Sequence, residues 1–214
     1  MYGFVTHTWN AIKGKCPFDC SYCYMKKWGN LKAPRLDESE FKTDLGSGNF
    51  IFVGSSIDMW HPDISKLGML TIWEHLKKYP KNKYLFQSKD PWQFESWMHT
   101  WPDYFEGIDA VFATTIETNR NYYDISNAPP PSERADTIKG FKEDWGYPIM
   151  ITVEPVLDFD LDEFVALLKS TNADQINIGA VTGGYKLPEP SKEKLQALIG
   201  AIMPHLKSNI KRLM

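Results

Sequence analysis

"KCPFDCSYCY", residues 15–24, holds all three cysteines of a 214-residue chain: Cys16, Cys20 and Cys23. Their spacing is C-x3-C-x2-C, so the whole thiol supply falls in one short loop. Three cysteines cannot all pair with one another, and spacing this close disfavours a disulfide framework. Thiolates are soft ligands, and three so placed can converge on one centre. A structural zinc site is usually closed by four protein ligands. Here the fourth would be a histidine, such as His7 or His61, or a carboxylate. A cluster of four irons and four sulfides on three thiolates instead leaves one iron open to an exogenous molecule, unlike the four-cysteine ferredoxin spacings.

The rest of the chain sets bounds on both readings. It is 43% hydrophobic and 14% aromatic, enough for the core of one domain over residues 1–214. A net charge of −3 advertises neither nucleic acid nor an anionic membrane. No apolar run approaches the ~20 residues that span a bilayer. The start "MYGFVTHTWN" lacks the basic and apolar regions of a secretory signal. The expectation is a soluble, cytoplasmic protein in a reducing compartment, with no membrane partner.

Short β-rich runs alternate with helical patterns. The strand candidates are "GFVTHTW" (3–9), "NFIFVG" (49–54), "KYLFQS" (83–88), "AVFATTI" (110–116), "PIMITVE" (148–154) and "QINIGA" (175–180). Helical spacing marks 65–78, where Leu67, Leu70, Trp73 and Leu76 recur at three-residue steps, then 91–101, 132–145, 160–170 and about 191–206. Asp160 with Glu163 reads as a capping-box start. Six βα units at this spacing make a doubly wound sheet or an incomplete barrel. Both gather ligands at the C-terminal ends of the strands.

Cys16-Pro17-Phe18-Asp19-Cys20-Ser21-Tyr22-Cys23 resembles the signature of the radical S-adenosylmethionine (SAM) superfamily, C-x3-C-x-aromatic-C, with Tyr22 as the aromatic. The resemblance implies a partial (β/α)6 barrel of the radical SAM type. It implies a 4Fe-4S cluster on Cys16, Cys20 and Cys23 that cleaves SAM to a 5′-deoxyadenosyl radical, which takes hydrogen from a substrate. It also directs attention to the strand ends. Gly54, Ser55, Ser56 and Asp58 stand where the superfamily has the glycine-rich turn that meets the methionyl amino group. Lys89 resembles a lysine of spore photoproduct lyase and its relatives, placed to pair with the methionyl carboxylate. Thr115 and Glu117 suit ribose hydroxyls. Glu154 closes an apolar run before Pro155 and needs a partner or a ligand. Gly179 would let backbone approach an adenine ring.

Taken in order, "HTWN", the cysteine loop, "VGSSIDMWH", "FQSKDP", "TTIETN", "TVEPVLDF" and "IGAVTGG" resemble a small radical-SAM-like family found widely in bacteriophages. The chain departs from that family at Ala11, where the family has proline, at Gly54-Ser55, where it has Asn-Ser, and at Asp90, where it has arginine after the lysine. The resemblance implies a nucleotide, nucleobase or nucleic-acid substrate, and host cytoplasm if the chain is phage-encoded. The implied partners are an electron donor such as flavodoxin or ferredoxin and a protein that closes the barrel mouth. His7, Trp9, Trp60 and His61 are candidates for the cluster mouth. No fourth cysteine can serve as a hydrogen donor, which leaves Tyr122, Tyr123 and Tyr185 as candidates. The rival readings are a zinc- or cluster-stabilised binding module without catalysis, and a radical SAM fold that uses SAM in polar chemistry.

Overall fold

The computed structural model describes residues 2–122 and 124–214; Tyr123 lies outside the described residues. Among the described residues nine strands are formed: β1 (His7–Trp9), β2 (Ile12–Lys13), β3 (Arg35–Leu36), β4 (Phe50–Val53), β5 (Lys83–Ser88), β6 (Asp109–Thr115), β7 (Ile149–Val153), β8 (Gln175–Ile178) and β9 (His205–Leu206). Seven pair in parallel in the order β1-β4-β5-β6-β7-β8-β9 and curl into a half-barrel. β2 and β3 form a small antiparallel pair beside it. The helices are α1 (Lys66–Leu76), α2 (Trp92–Thr100), α3 (Pro131–Trp145), α4 (Leu161–Ser170) and α5 (Lys192–Ile202).

Alternation along the strands sorts side chains onto two faces. Tyr84, Phe86, Phe112, Ile149, Ile151 and Val153 join Ile72, Trp73, Phe94, Phe141 and Phe164 of the helices in the large core. Their strand neighbours Leu85, Ala113 and Met150 point the other way and pack with Tyr2, beside Phe4, Val5, Phe50, Phe52 and Val111. That second cluster lies on the inner face, so the N-terminal segment plugs the half-barrel.

Several sequence expectations change. Residues 3–9 were expected to be one strand, but only His7–Trp9 is extended. A turn bonds Val5 N to Tyr2 O at 3.2 Å, because Tyr2, Phe4 and Val5 have an apolar interior to fill. The last helix was expected to reach residue 206. It stops at Ile202, since Met203 is left-handed (φ 44°) and Pro204 cannot continue a helix. His205 and Leu206 then pair with Asn177 and Ile178, adding a seventh strand to the six expected. In α1, Leu67 is 74% exposed while Met69, Ile72, Trp73 and Leu76 are buried, because three-residue steps drift off a 3.6-residue face. At α4, Asp160 makes no cap and binds Arg120 at 2.6 and 2.9 Å.

The tryptophans belong to the core. Trp60 is surrounded by Trp73, Phe86, Phe94 and Phe112, and Trp9 stacks on His75 at 4.9 Å. Neither faces the cysteine loop's cavity, whereas His61 packs edge-on against Phe18 of that loop at 4.8 Å. No helix among the described residues is long and apolar enough to cross a membrane.

Candidate functional site

The cysteine loop leaves β2 and ends in a short 3-10 helix, Tyr24–Trp28. Its backbone makes hydrogen bonds of its own. Cys16 O and Cys20 O accept turn bonds from Asp19 N and Cys23 N, each at 3.1 Å. Ser21 N reaches Ile125 O at 2.7 Å, and Asn127 N reaches Phe18 O at 2.9 Å, so the loop is sewn to the segment after β6. The three thiols are free and line one cavity.

Burial lifts the Cys16 thiol to about 12, aided by the Asp58 carboxylate, and burial also raises Cys23. Protonated thiols of this kind are poor nucleophiles. A cationic centre would deprotonate them outright. Donors for thiolates are in place: backbone N–H groups of Phe18 and Asp58 aim at the Cys16 sulfur, and that of Met25 at Cys23. The Ser126 hydroxyl lies 3.2 Å from Cys20 Sγ. Hydrogen bonds to the sulfurs are the protein's means of stabilising a thiolate-held cluster, and this donor set fits one. Among the described residues, no three His, Cys, Asp or Glu side chains come together as ligands of one metal ion.

The turn after β4 supplies the next wall. Gly54 is left-handed (φ 77°), and a Cβ on it would meet Met59 Sδ at 2.9 Å, so glycine is required. Ser55 Oγ, Ser56 N and Ser56 Oγ donate to Asn10 Oδ1 at 3.2, 2.9 and 3.0 Å. Asn10 thus fixes the turn. It was legible only as the last letter of "HTWN", with no pattern to single it out. Asp58 ties this turn to the end of β5: Oδ2 accepts from Lys89 N at 2.7 Å and Ser88 Oγ at 3.0 Å, and Oδ1 from Trp60 N at 3.2 Å. Burial pushes its carboxyl up to about 6 against those hydrogen bonds.

A buried ion network stands behind the cavity. Glu117 Oε1 accepts from Lys89 Nζ and the Tyr22 hydroxyl, and Lys89 Nζ also donates to the Tyr22 oxygen at 2.6 Å. Glu117 Oε2 pairs with Arg134 at 2.9 Å, and Arg134 donates further to Thr115 O. Burial drives the Tyr22 hydroxyl well above its ordinary range. Arg134 escaped sequence reasoning, although a charge among Ala135, Ile138 and Phe141 on a core-facing helix was the available signal.

Seven of the nine strand-end residues expected from sequence line the same cavity as the cysteines: Gly54, Ser55, Ser56, Asp58, Lys89, Thr115 and Glu154. Glu117 does not; it lies with Arg134 beside a separate, smaller cavity. Gly179 does not line it either, although Ala180, Val181 and Thr182 do. A Cβ on Gly179 would sit 2.7 Å from Glu154 Oε1 and 3.0 Å from its Cγ, so the glycine makes room for Glu154. Glu154 is held by Lys207 Nζ and by Asn209 Nδ2 at 2.7 Å, both from the C-terminal segment that sequence reasoning left unread. Gly179→Ala is therefore expected to displace a tethered carboxylate and cost about 1–3 kcal/mol, measured by urea denaturation. A change within 0.3 kcal/mol, roughly the limit of additivity error, would show that Glu154 moves freely.

The cavity has a volume of about 230 Å³. A second, of about 620 Å³, shares Tyr24, Phe52, Ser55, Gln87, Glu154 and Thr182 with it. Solved structures show what fold carries this arrangement. One is a mutant spore photoproduct lyase with bound AdoMet and dinucleoside spore photoproduct: TM-score 0.59, 13% identity, covering 92% of this chain and 60% of that one. Another is Streptococcus suis SuiB bound to S-adenosylmethionine: TM-score 0.61, 10% identity, covering 95% of this chain and 50% of that one. The fold is that of the radical SAM enzymes. The chain spans less than two thirds of the length of either. No protein-family model matches the sequence, and neither does any curated protein.

Proposed function

We propose that this chain is a radical SAM enzyme acting on a nucleotide, nucleobase or nucleic acid. One observation carries the reading: on a radical SAM half-barrel, the three thiols and the polar ends of β4 to β7 line a single cavity. Cys16, Cys20 and Cys23 would hold a 4Fe-4S cluster, which when bound supplies the electron that cleaves SAM to methionine and a 5′-deoxyadenosyl radical. The remaining groups bind and orient. The turn Gly54 to Ser56, with Asp58, presents hydroxyls and a carboxylate to the ammonium of SAM. Lys89 brings a cation to its carboxylate, and Thr115 and Glu154 line the wall beyond.

Two observations support the substrate class. A fold neighbour holds a dinucleoside photoproduct. The second cavity offers the rings of Tyr24 and Phe52 with the cation of Lys27, which suits a planar base carrying an anion. An open barrel mouth would suit a large substrate or a partner protein as a lid.

Anaerobic reconstitution with iron and sulfide tests the reading. The expected result is a brown protein that yields 5′-deoxyadenosine when reduced with SAM. A colourless protein holding one zinc, with no iron uptake and no SAM cleavage, would sink it. Consumption of SAM without 5′-deoxyadenosine would replace it with polar chemistry on the same cofactor.

A further inference from the structure

Beyond the second cavity lies another, of about 720 Å³. It shares Thr182, Ser208 and Asn209 with the second, which itself adjoins the thiol-lined cavity. Three adjoining cavities thus run from the cysteine loop to the C-terminal segment. The last of them is chemically unlike the others. Gly183, Gly184, Ser208 and Lys211 line it, and no carboxylate does. Residues 204–214 carry Lys207, Lys211 and Arg212 and no Asp or Glu, in a chain with 24 basic and 27 acidic residues.

The hydrogen-bond donors of this cavity are free. Gly183 and Gly184 are consecutive left-handed residues, at φ 85° and 75°. Among the described residues, no backbone acceptor takes the N–H of either. A Cβ on Gly184 would meet nothing within 4 Å, so its backbone stands open. Successive backbone N–H groups in a turn make an anion-binding concavity, and glycine lets a ligand approach it closely. Ser208 and Lys211 are exposed, and among the described residues their side chains form no hydrogen bond or ion pair. The frame around them is fixed. Arg212 is tied to Glu189 at 2.8 Å and to Val181 O at 3.0 Å. The Tyr185 hydroxyl donates to Cys23 O at 3.0 Å, which anchors the glycine turn to the cysteine loop.

We propose that this cavity is a phosphate-ester subsite. The amides of Gly183 and Gly184, the Ser208 hydroxyl and the Lys211 ammonium hold the phosphate of a nucleotide whose base lies against Tyr24 and Phe52 in the adjoining cavity. The inference rests on the nucleotide reading above and narrows it, since a free nucleobase or nucleoside leaves the subsite empty. The donor set favours phosphate over carboxylate. A carboxylate offers two coplanar oxygens and one charge to these four donors. A phosphate monoester offers three oxygens in a tetrahedron and close to two charges.

The test titrates the full chain, as purified, with the four deoxynucleoside 5′-monophosphates and the matching nucleosides by calorimetry. A monophosphate is expected to bind at least about tenfold tighter than its nucleoside, and added salt is expected to weaken the monophosphate alone. Lys211→Gln and Ser208→Ala are each expected to weaken the monophosphate about fivefold and to leave the nucleoside unchanged. Lys32→Gln, an exposed lysine that lines none of the three cavities, controls for net charge and is expected to keep wild-type affinity. In the 1H–15N spectrum, the Gly183 and Gly184 amides are expected to shift with the monophosphate and not with the nucleoside. Equal affinity for monophosphate and nucleoside overturns the proposal, and so does equal weakening in Lys32→Gln and Lys211→Gln. A dinucleoside monophosphate that binds tighter than any mononucleotide, with the same dependence on Lys211, supports the subsite and assigns it to the backbone of a polynucleotide. Inorganic phosphate that shifts the two amides, with no nucleotide or nucleoside bound, supports the subsite and defeats the nucleotide reading instead. Amides that move with none of these probes overturn the proposal.

Discussion

Cys20→Ala is expected to reduce iron and sulfide content to background after reconstitution, and 5′-deoxyadenosine formation with it, while the fold survives. Three ligands are the minimum that the loop supplies, and no other cysteine exists to replace one. Among the described residues, no further His, Asp or Glu stands ready to complete a metal group. The loop's shape rests on other bonds: Ser21 N to Ile125 O, Asn127 N to Phe18 O and the turn at Asp19. The Cys20 sulfur itself meets only the Ser126 hydroxyl among its hydrogen-bond partners. Truncating it should cost about 1 kcal/mol, or roughly 2–4 °C in melting temperature for a chain of this size. Ser21→Ala, a neighbour without a ligand role, is the control and should keep its iron. A full complement of iron and sulfide in Cys20→Ala would refute the ligand assignment. A chain that loses its cooperative melt would show instead that the thiol is structural.

The fold was legible because its strands advertise themselves. "KYLFQS" forms β5 over the same residues that the sequence pattern marked, and "PIMITVE" contains β7, since apolar runs between turn residues have few alternatives. That most of the candidate residues would share one cavity was legible for a different reason. Parallel strands bring their C-terminal ends to one rim, so polar residues that end apolar runs, such as Lys89 and Glu154, arrive there together. What stayed hidden were the partners that come from far along the chain. Lys207 and Asn209 hold Glu154 from the C-terminal segment, and Tyr2 bonds Gln87 and Thr152 from the N-terminal plug. Nothing local in "HLKSN" signals that it completes a rim, because two residues of strand are too short to leave a periodic trace. Gly179 was legible as a position needing room, and the room it leaves is beside the Glu154 side chain.

Glu117→Gln is expected to be the most destabilising single change near the site. The carboxylate is 5% exposed and is the shared acceptor of Lys89, Arg134 and Tyr22. Arg134 is also 5% exposed and Lys89 13%. An amide at this position keeps the shape but removes the charge, and its NH2 group faces donors. Two buried cations then lack a counter-ion, a condition that costs about 3–5 kcal/mol and lowers the melting temperature by on the order of 10 °C. Burial alone would raise the Glu117 carboxyl above its ordinary 4.5, but Arg134 and Lys89, with the hydrogen bonds, hold it far below. The native carboxylate therefore binds protons less readily than the unfolded one, and its stabilisation is complete above about pH 4.5. As pH falls below that value, the unfolded chain gains a proton that the native chain resists, and the advantage is lost. The stability gap between wild type and Glu117→Gln, measured by urea denaturation, should be constant from neutrality down to about pH 5 and shrink below it. Adding Lys89→Met to the variant should recover part of the loss by removing one unpaired charge. A gap under about 1 kcal/mol at neutral pH would mean that solvent reaches the pair and screens it. The expected gap also ties the strand ends to the loop: Tyr22 stands between Cys20 and Cys23, so loosening Glu117 loosens the backbone that spaces the thiols. Iron retention after reconstitution should then fall in Glu117→Gln, although no ligand has been touched.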